Sequence, residues 1–501
     1  MNSFYTLQTV SKDAMNMSNI KRISCMVDGH RTYSCLQDDD DVYFPFEKFL
    51  KKQYDVTGKL TKDKGNKEDH FEWSTSTSRV RFPDEGEYDP VGTFGHFASY
   101  SVESRDRVRC ISAQYGVPLS TQWSSKPYFY PIQIAQYALQ HYSRNRTGPE
   151  PVEIELGKAP SDWIVEDSAS YEAKEGIEGI REVLDEELHK NVMEIFPVGN
   201  DNGKDTAVRL SLNENVNLDV ISFFWRSDAY ASFTIAAEII PLKKKIYLHY
   251  VHKSDGRCVW REANGQQEHF YYELGAKPDP SSWRLICRDV LTDAGRALAS
   301  TVSNGKKTGS TSAAAQLHPG STNICDIRVI SLVLRGHSWL HSLKQRSSAH
   351  MEQFLVVADW FLSNQDDDGG WSVPVERSIA EKSLVLEAGW HSAMAQGHAL
   401  SVLTRAYAIT KELKYLRAAV KGTKLFKINA GEGGVRNDLF GYAWYEEYPT
   451  QPGTFVLNGF MYSLIGLYDL SAALKNQQQM ENDAAELFAD GIRSLQTFLP
   501  L

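Results

Sequence analysis

Residues 456–470, VLNGFMYSLIGLYDL, are apolar nearly all round, broken mainly by Asn458, Ser463 and Asp469. A helix with no polar face cannot lie on a surface, so this segment demands burial on several sides and a shell of other helices to supply it. Neighbouring sequence provides that shell. Phe354, Val357, Ala358 and Phe361 recur at helical spacing, as do Ala393, Gly397 and Leu400, and again Phe488, Ile492, Leu495 and Leu499. Helical hairpins around an inner, fully buried layer point to an α/α toroid. The same periodicity is satisfied by a plain bundle.

Upstream the period changes from helical to alternating. Phe233, Ile235 and Ala237 alternate along one segment and Ile246, Leu248 and Tyr250 along another, with Ser254-Asp255-Gly256 as a turn. Residues 151–300 therefore read as an antiparallel sandwich or barrel. Residues 303–322, rich in Gly, Ser and Thr, read as a linker or exposed loop. Ile134, Tyr137, Ala138 and His141 predict a helix over 130–142, followed by a boundary near residue 150. At the other end, the acidic run 38–41 reads as a solvated loop ahead of strands and turns that close at Gly58.

A net charge of −10 over 501 residues argues against binding nucleic acid or anionic membranes nonspecifically. The apolar run VISLVL at 329–334 falls far short of the roughly 20 residues that span a bilayer. Residues 1–21 lack the apolar core of a secretory signal. Six cysteines, at 25, 35, 110, 258, 287 and 325, form no C-x-x-C pair and no zinc pattern. Cys25 and Cys35 are spaced to close a small loop in an oxidising compartment, with buried free thiols the alternative. Asn16-Met17-Ser18 and Asn145-Arg146-Thr147 match the glycosylation acceptor pattern, which matters only in a secreted chain. H-E-x-x-H, P-loop, G-x-S-x-G and G-x-G-x-x-G motifs are all absent, which disfavours cofactor-driven chemistry.

Glu447-Tyr448, just ahead of the apolar helix, sets a carboxylic acid beside a phenol on one short turn. With reference pKa values near 4.3 and 10, such a pair holds a proton acceptor next to a donor at neutral pH, which suits chemistry at a weakly acidic C–H bond. The bland alternative is a packed ring and a solvating carboxylate. Arg105 and Arg107, two apart, share a face if their segment is a strand, and would clamp a carboxylate or sulfate; pairing with Asp106 on the surface is the alternative. Gln122, Trp123, Tyr128, Tyr130, Gln133 and Gln136 add flat rings and amides suited to sugars, or equally to an ordinary core. Gln133 and Gln136 share a helix face.

The blocks GVPLSTQW, YFYPIQIAQY, SAMAQG, WYEEYPT and FVLNGFMYSLIGLYDL closely resemble D-glucuronyl C5-epimerases of heparan sulfate and heparin biosynthesis. The resemblance is strongest over 98–143 and 353–470 and looser through the β-rich middle. It implies an α+β multidomain chain: an N-terminal β-hairpin region (1–97), a substrate-cleft segment packing on the helical domain (98–150), a central antiparallel β-sandwich or barrel (151–325) and a C-terminal α/α toroid (326–501). It implies conversion of D-glucuronic to L-iduronic acid within N-sulfated heparosan by removal and return of the proton at carbon 5. No cofactor is required, and calcium is an open option in the β domain, where PVEIELGKAPSDW is shortened and its ligands do not align. The implied partners are the heparosan polysaccharide, a second copy of the chain and other heparan biosynthetic enzymes, with no nucleic acid. The implied location is the Golgi lumen, as a type II membrane protein, although no anchor is visible.

By resemblance, Glu447 and Tyr448 match the catalytic Glu-Tyr of the EEYPT motif, with Tyr448 as one acid/base and Glu447 as its partner. Tyr100, Arg105, Arg107, Gln122, Tyr130, Gln133, Gln136, Asn458 and Tyr462 match positions lining the substrate cleft. The family continues past the position of Leu501 into helices bearing two further active-site tyrosines and an arginine, so the expectation is a C-terminally shortened or fragmentary enzyme. The alternatives are a uronate lyase or a non-catalytic heparan-binding form.

Overall fold

The computed structural model describes residues 21–27, 31–38, 41–43, 58–62, 69–73 and 87–499, apart from 168–178, 197–205, 254–255, 265–266, 276–279, 303–325, 380–382, 476, 478 and 481–482. The Gly/Ser/Thr-rich 303–322 thus lies outside the described residues. Two compact units are present, 1–87 with residue 501, and 88–500. In the first, Lys21–Val27, Arg31–Asp38 and Asp41–Tyr43 form a three-stranded antiparallel sheet, and Gly58–Lys62 pairs with Asp69–Trp73. Cys35 is disulfide-bonded, whereas Cys110, Cys258 and Cys287 are free.

In the second unit the alternating segments form two facing sheets. One has seven strands in the spatial order Trp163–Asp167, Thr206–Ser211, Ile327–Arg335, Ser232–Ile239, Lys244–Val251, Gln267–Glu273 and Val259–Asn264. The other runs Ile180–Asp185, Lys190–Ile195, Ser338–Arg346, Val220–Ser227 and Arg284–Asp289, with Glu153–Glu155 also paired to Ser338–Arg346. The sheets stay open, so this is a sandwich and not a closed barrel. Nor is it wholly antiparallel: Lys244–Val251 and Gln267–Glu273 pair in parallel. The chain passes through Val259–Asn264 between them, and that hairpin strand takes the edge position.

Alternation explains which residues fill the sandwich. Phe233, Ile235 and Ala237 are fully buried, as are Ile246, Leu248 and Tyr250, while their neighbours point outward. Phe233 lies 5.4 Å from Phe223 and 5.5 Å from Trp225 of the facing sheet, in edge-to-face geometry. Each such side chain contributes about 1.5–3 kcal/mol by leaving water.

Helix Pro131–Thr147 joins the helices after His350 in one core through Ile134, Tyr137, Ala138 and Tyr142. Helix His350–Ser363 buries Phe354, Val357, Ala358 and Phe361, the stripe that spacing predicts. Helix Ala393–Thr410 is buried continuously from Ala393 to Ala406 and packs on Leu457–Leu474, the helix formed by the all-apolar segment. The two run in the same direction, since Gly397 meets Ser463 and Gly466 while Arg405, two turns on, meets Asp469. Arg405 and Asp469 are fully buried at 2.6 Å, and Tyr88 completes the group by accepting from Arg405 and donating to Asp469. Burial without this partner would leave a bare charge in the core. In helix Asp483–Phe498 the innermost line is Ala484, Leu487, Gly491 and Ser494. Phe488, Ile492 and Leu495 flank it, half-buried, because Gly491 lets the helix settle against Leu464. Among the described residues no helix is long and apolar enough to cross a membrane.

Candidate active site

The Glu-Tyr turn is held by a third acid, Glu446, which is fully buried. Its Oε1 accepts from Asn437 at 3.0 Å, and its Oε2 from the Phe455 N–H at 2.9 Å and the Thr454 hydroxyl at 3.1 Å. Its main chain bonds Val435 and Ala393. Thr454 also donates to the Tyr448 carbonyl at 3.1 Å. Residues 446–455 are thereby folded into one closed turn between strand Tyr442–Tyr445 and helix Leu457–Leu474. Loss of water raises the Glu446 carboxyl above its usual range, and the three donors oppose that rise.

Glu447, next along, is also buried, yet its Oε2 has no hydrogen-bond partner among the described residues. Burial raises its pKa, while the nearby Tyr448 hydroxyl and Asn458 amide pull the other way. Tyr448 is half-buried. Desolvation and then the charge of Glu447 raise its pKa, and Arg377 and Arg107 lower it. The two adjacent groups thus act on each other's titration in a site of low polarity that keeps the proton on the phenol.

Rings wall this pair. Trp390 lies 5.9 Å from Tyr448 and 6.1 Å from Trp123, and Trp123 lies 5.1 Å from Tyr130. Tyr130 is buried; desolvation drives its pKa up, and Tyr448 and Glu447 add to the shift by their charge. Tyr128, 6.0 Å from Tyr130, is pushed up to about 12 by burial against the pull of Ser120, Arg107 and Arg377.

A second group borders the first. Tyr100 stacks on Phe97 at 4.3 Å, and Arg105 sits 5.5 Å from the Tyr100 ring while donating to Gln136 Oε1 at 2.6 Å. Tyr462 is raised to about 12 by desolvation and by the neighbouring Tyr100. The turns carrying Tyr100 and Arg105 are pinned from two sides. Helix Pro131–Thr147 reaches them through Arg144, which donates to the Ala98 carbonyl at 3.2 Å, and Gln140, which donates to Glu103 at 2.6 Å. From the sandwich, Arg296 donates to the Arg105 and Val108 carbonyls at 3.0 and 2.9 Å, and Arg288 bonds the Ile111 and Ser112 carbonyls as well as Asp293.

The structure therefore gathers Glu447, Tyr448, Tyr130 and Asn458 on one side and Tyr100, Arg105, Gln136 and Tyr462 on the other, with Arg107 charging the first group. Arg105 and Arg107 do not lie on a strand: Val102–Ser104 is a 3-10 turn and the strand starts at Val108, so they meet by turning. Gln133 and Gln136 do not share a partner. Gln136 receives Arg105, whereas Gln133 is 2% exposed with both amide atoms unpartnered among the described residues. Gln122 is half-buried beside Trp123, its backbone N–H donating to Ser120 at 3.3 Å. Sequence reasoning missed Glu446, Trp390 and Arg377. The doubled acid in WYEEYPT was the only available signal for the first, and the other two come from distant segments with no motif of their own.

A cavity of about 450 Å³ lies elsewhere, between the edge strand Arg284–Asp289 and helix His350–Ser363. Ile111, Arg288 and Asp293, which pin the Arg105 turn, line it but the Glu-Tyr turn and its rings do not, and the proton-handling groups make that turn the better candidate for chemistry. Among the described residues no group of three or more His, Cys, Asp or Glu side chains is placed to hold a metal ion.

Two stretches of the chain match known protein families. Residues 189–337 match the family described as D-glucuronyl C5-epimerase, beta-sandwich domain, and residues 365–501 that described as D-glucuronyl C5-epimerase C-terminus. The D-glucuronyl C5-epimerase of Caenorhabditis elegans is 44% identical over 505 residues, covering 95% of this chain and 79% of the worm protein. An uncharacterised protein of Methanocaldococcus jannaschii is 31% identical over 168 residues, 31% of this chain and 53% of that protein. The chain belongs to the D-glucuronyl C5-epimerase family, and its general activity is that of an epimerase, an isomerase.

Proposed function

We propose that the chain inverts carbon 5 of D-glucuronate units within N-sulfated heparosan, giving L-iduronate. The observation that supports this most is the Glu447-Tyr448 pair: a buried carboxyl with an unpartnered oxygen next to a phenol whose titration it raises and two arginine charges lower. Carbon 5 bears a hydrogen next to a carboxylate. When that proton leaves, the C–H electron pair moves into the carboxylate as an enolate, and inversion follows when a proton is added to the same carbon from the opposite face.

Tyr448 serves as one acid/base, and the adjacent Glu447 takes up or returns the phenol proton. The growing enolate charge needs a nearby cation in a dry site. Arg107 fits this better than Arg105, whose guanidinium is engaged by Gln136 and Tyr100. Tyr100, Tyr130, Tyr462 and Trp123 offer ring faces and hydroxyls to neighbouring sugars, and Gln122, Gln133, Gln136 and Asn458 offer amides. This chemistry takes place at a carbon already acidified by its own carboxylate and calls for no cofactor.

On the same reading the parallel inner helices belong to an α/α toroid, and the protein works as a homodimer in the Golgi lumen beside other heparan-modifying enzymes. The test is incubation with N-sulfated heparosan in deuterium oxide. Deuterium should enter at carbon 5 without shortening of the polymer and without alkene absorbance, and Glu447→Gln should slow entry at least about 100-fold. Alkene formation would replace this reading with a lyase.

A further inference from the structure

Arg377 is the one cation near Tyr448 that sequence patterns did not single out. It lies on the short strand Arg377–Ile379, paired to Leu384–Leu386, and its guanidinium carbon stands 4.9 Å from the centre of the Trp123 ring and 5.9 Å from that of Tyr448. It makes no ion pair among the described residues, and its Nε is buried with no hydrogen-bond partner there. A half-buried guanidinium without a carboxylate is costly unless something else supplies the negative charge. Its guanidinium carbon lies over both rings, and cation–π contacts of that kind use none of its N–H donors, which stay available to a planar anion.

We propose that Arg377 binds the carboxylate of the uronate undergoing inversion, a role that rests on Tyr448 being the acid/base. The chemistry of the position favours a carboxylate over a sulfate. Carbon 5 is one bond from the carboxylate carbon, so a carboxylate gripped by a guanidinium that leans on the Tyr448 ring brings the C5 hydrogen to the phenol. The same grip opposes the second negative charge that builds on the carboxylate oxygens as the enolate forms. Other groups facing Tyr448 are Glu447, Tyr130 and Arg107. Of these only Arg107 is a second cation, and it also acts on Tyr128 and Tyr130 from the opposite segment.

The experiment compares Arg377→Met and Arg377→Lys with the unsubstituted protein on two oligosaccharides, N-sulfated heparosan and the same oligomer with its uronate carboxyls reduced to alcohols. Arg377→Met should bind the carboxylated oligomer about 10- to 100-fold more weakly, bind the reduced oligomer as before, and lose about 100-fold in C5 deuterium exchange. Arg377→Lys should recover part of both. Equal weakening toward both oligomers, or exchange within twofold of the unsubstituted protein, overturns the role. If Arg377→Met does not fold, the carboxyl preference of Arg377→Lys decides by the same criterion. Tyr448→Phe, run alongside, separates the two ideas: exchange surviving in Tyr448→Phe removes the acid/base, whereas its loss with unchanged Arg377 variants removes only the carboxylate grip.

Discussion

Gly459 lies directly against Glu447: a Cβ on the glycine would stand 2.5 Å from Glu447 Cβ and 2.7 Å from its Oε2. The first turn of the apolar helix is thus shaped to leave room for the acid. Gly459→Ala pushes Glu447 off its seat while the rest of the helix keeps its packing. Exchange at carbon 5 should fall about 100-fold, since small misplacements of a reacting group cost that much, with thermal stability lowered by less than about 2 kcal/mol. Exchange rates and melting curves of the variant check both parts.

Glu446 and Glu447 are neighbours with opposite duties. Glu446→Ala removes the acceptor for Asn437, Thr454 and Phe455, leaving the Phe455 N–H bare while Asn437 and Thr454 keep only the Thr450 and Tyr448 carbonyls. The expected cost is about 3 kcal/mol in denaturant unfolding, whereas Glu447→Ala should leave stability within about 1 kcal/mol and act on exchange alone. An equal stability loss in both variants would contradict this division.

The inner helices touch through backbone. A methyl on Gly466 would fall 2.0 Å from the Gly397 carbonyl oxygen, an obstacle that no rotamer change removes. Gly466→Ala should destabilise the protein by about 3 kcal/mol or prevent soluble expression. Gly295→Ala, where nothing lies within 4 Å, is the control and should be neutral or slightly stabilising.

Asp219 and Asp289 sit side by side on the sandwich. Desolvation raises Asp289 to about 7 and Asp219 to about 6, and the charge of Asp219 adds to the shift of Asp289. A folded pKa above the unfolded one means stability that is complete below about pH 4 and lost as the pH climbs through 6 to 7. Asp289→Asn removes one titration and can still accept the Thr292 N–H. Relative to the unsubstituted protein it should gain roughly 2 kcal/mol between pH 5 and pH 8, once partial exposure of both side chains is allowed for. Unfolding curves at the two pH values measure this directly.

Much of the architecture was legible because burial writes a period into the chain. Phe233 to Ala237 and Ile246 to Tyr250 alternate because each strand has one face in the core, and 456–470 lost its polar face because helices enclose it. The parallel pairing of Lys244–Val251 with Gln267–Glu273 left no such trace, since a parallel or antiparallel neighbour buries the same alternate residues. Glu447 and Tyr448 were visible as adjacent proton-handling groups. Arg377 and Trp390 were not, because they meet Tyr448 only through folding. The spacing of Arg105 and Arg107 left open whether a strand carries them, and only the fold shows that they follow a 3-10 turn ahead of the strand at Val108.

Deuterium exchange at carbon 5 of N-sulfated heparosan by Tyr448→Phe, with polysaccharide binding measured on the same sample, addresses the acid/base assignment most directly. Binding within about threefold of the unsubstituted protein and no exchange above background are expected, because the substitution deletes a single hydroxyl and with it the proton path. Exchange at the unsubstituted rate in a variant that binds normally would contradict the account.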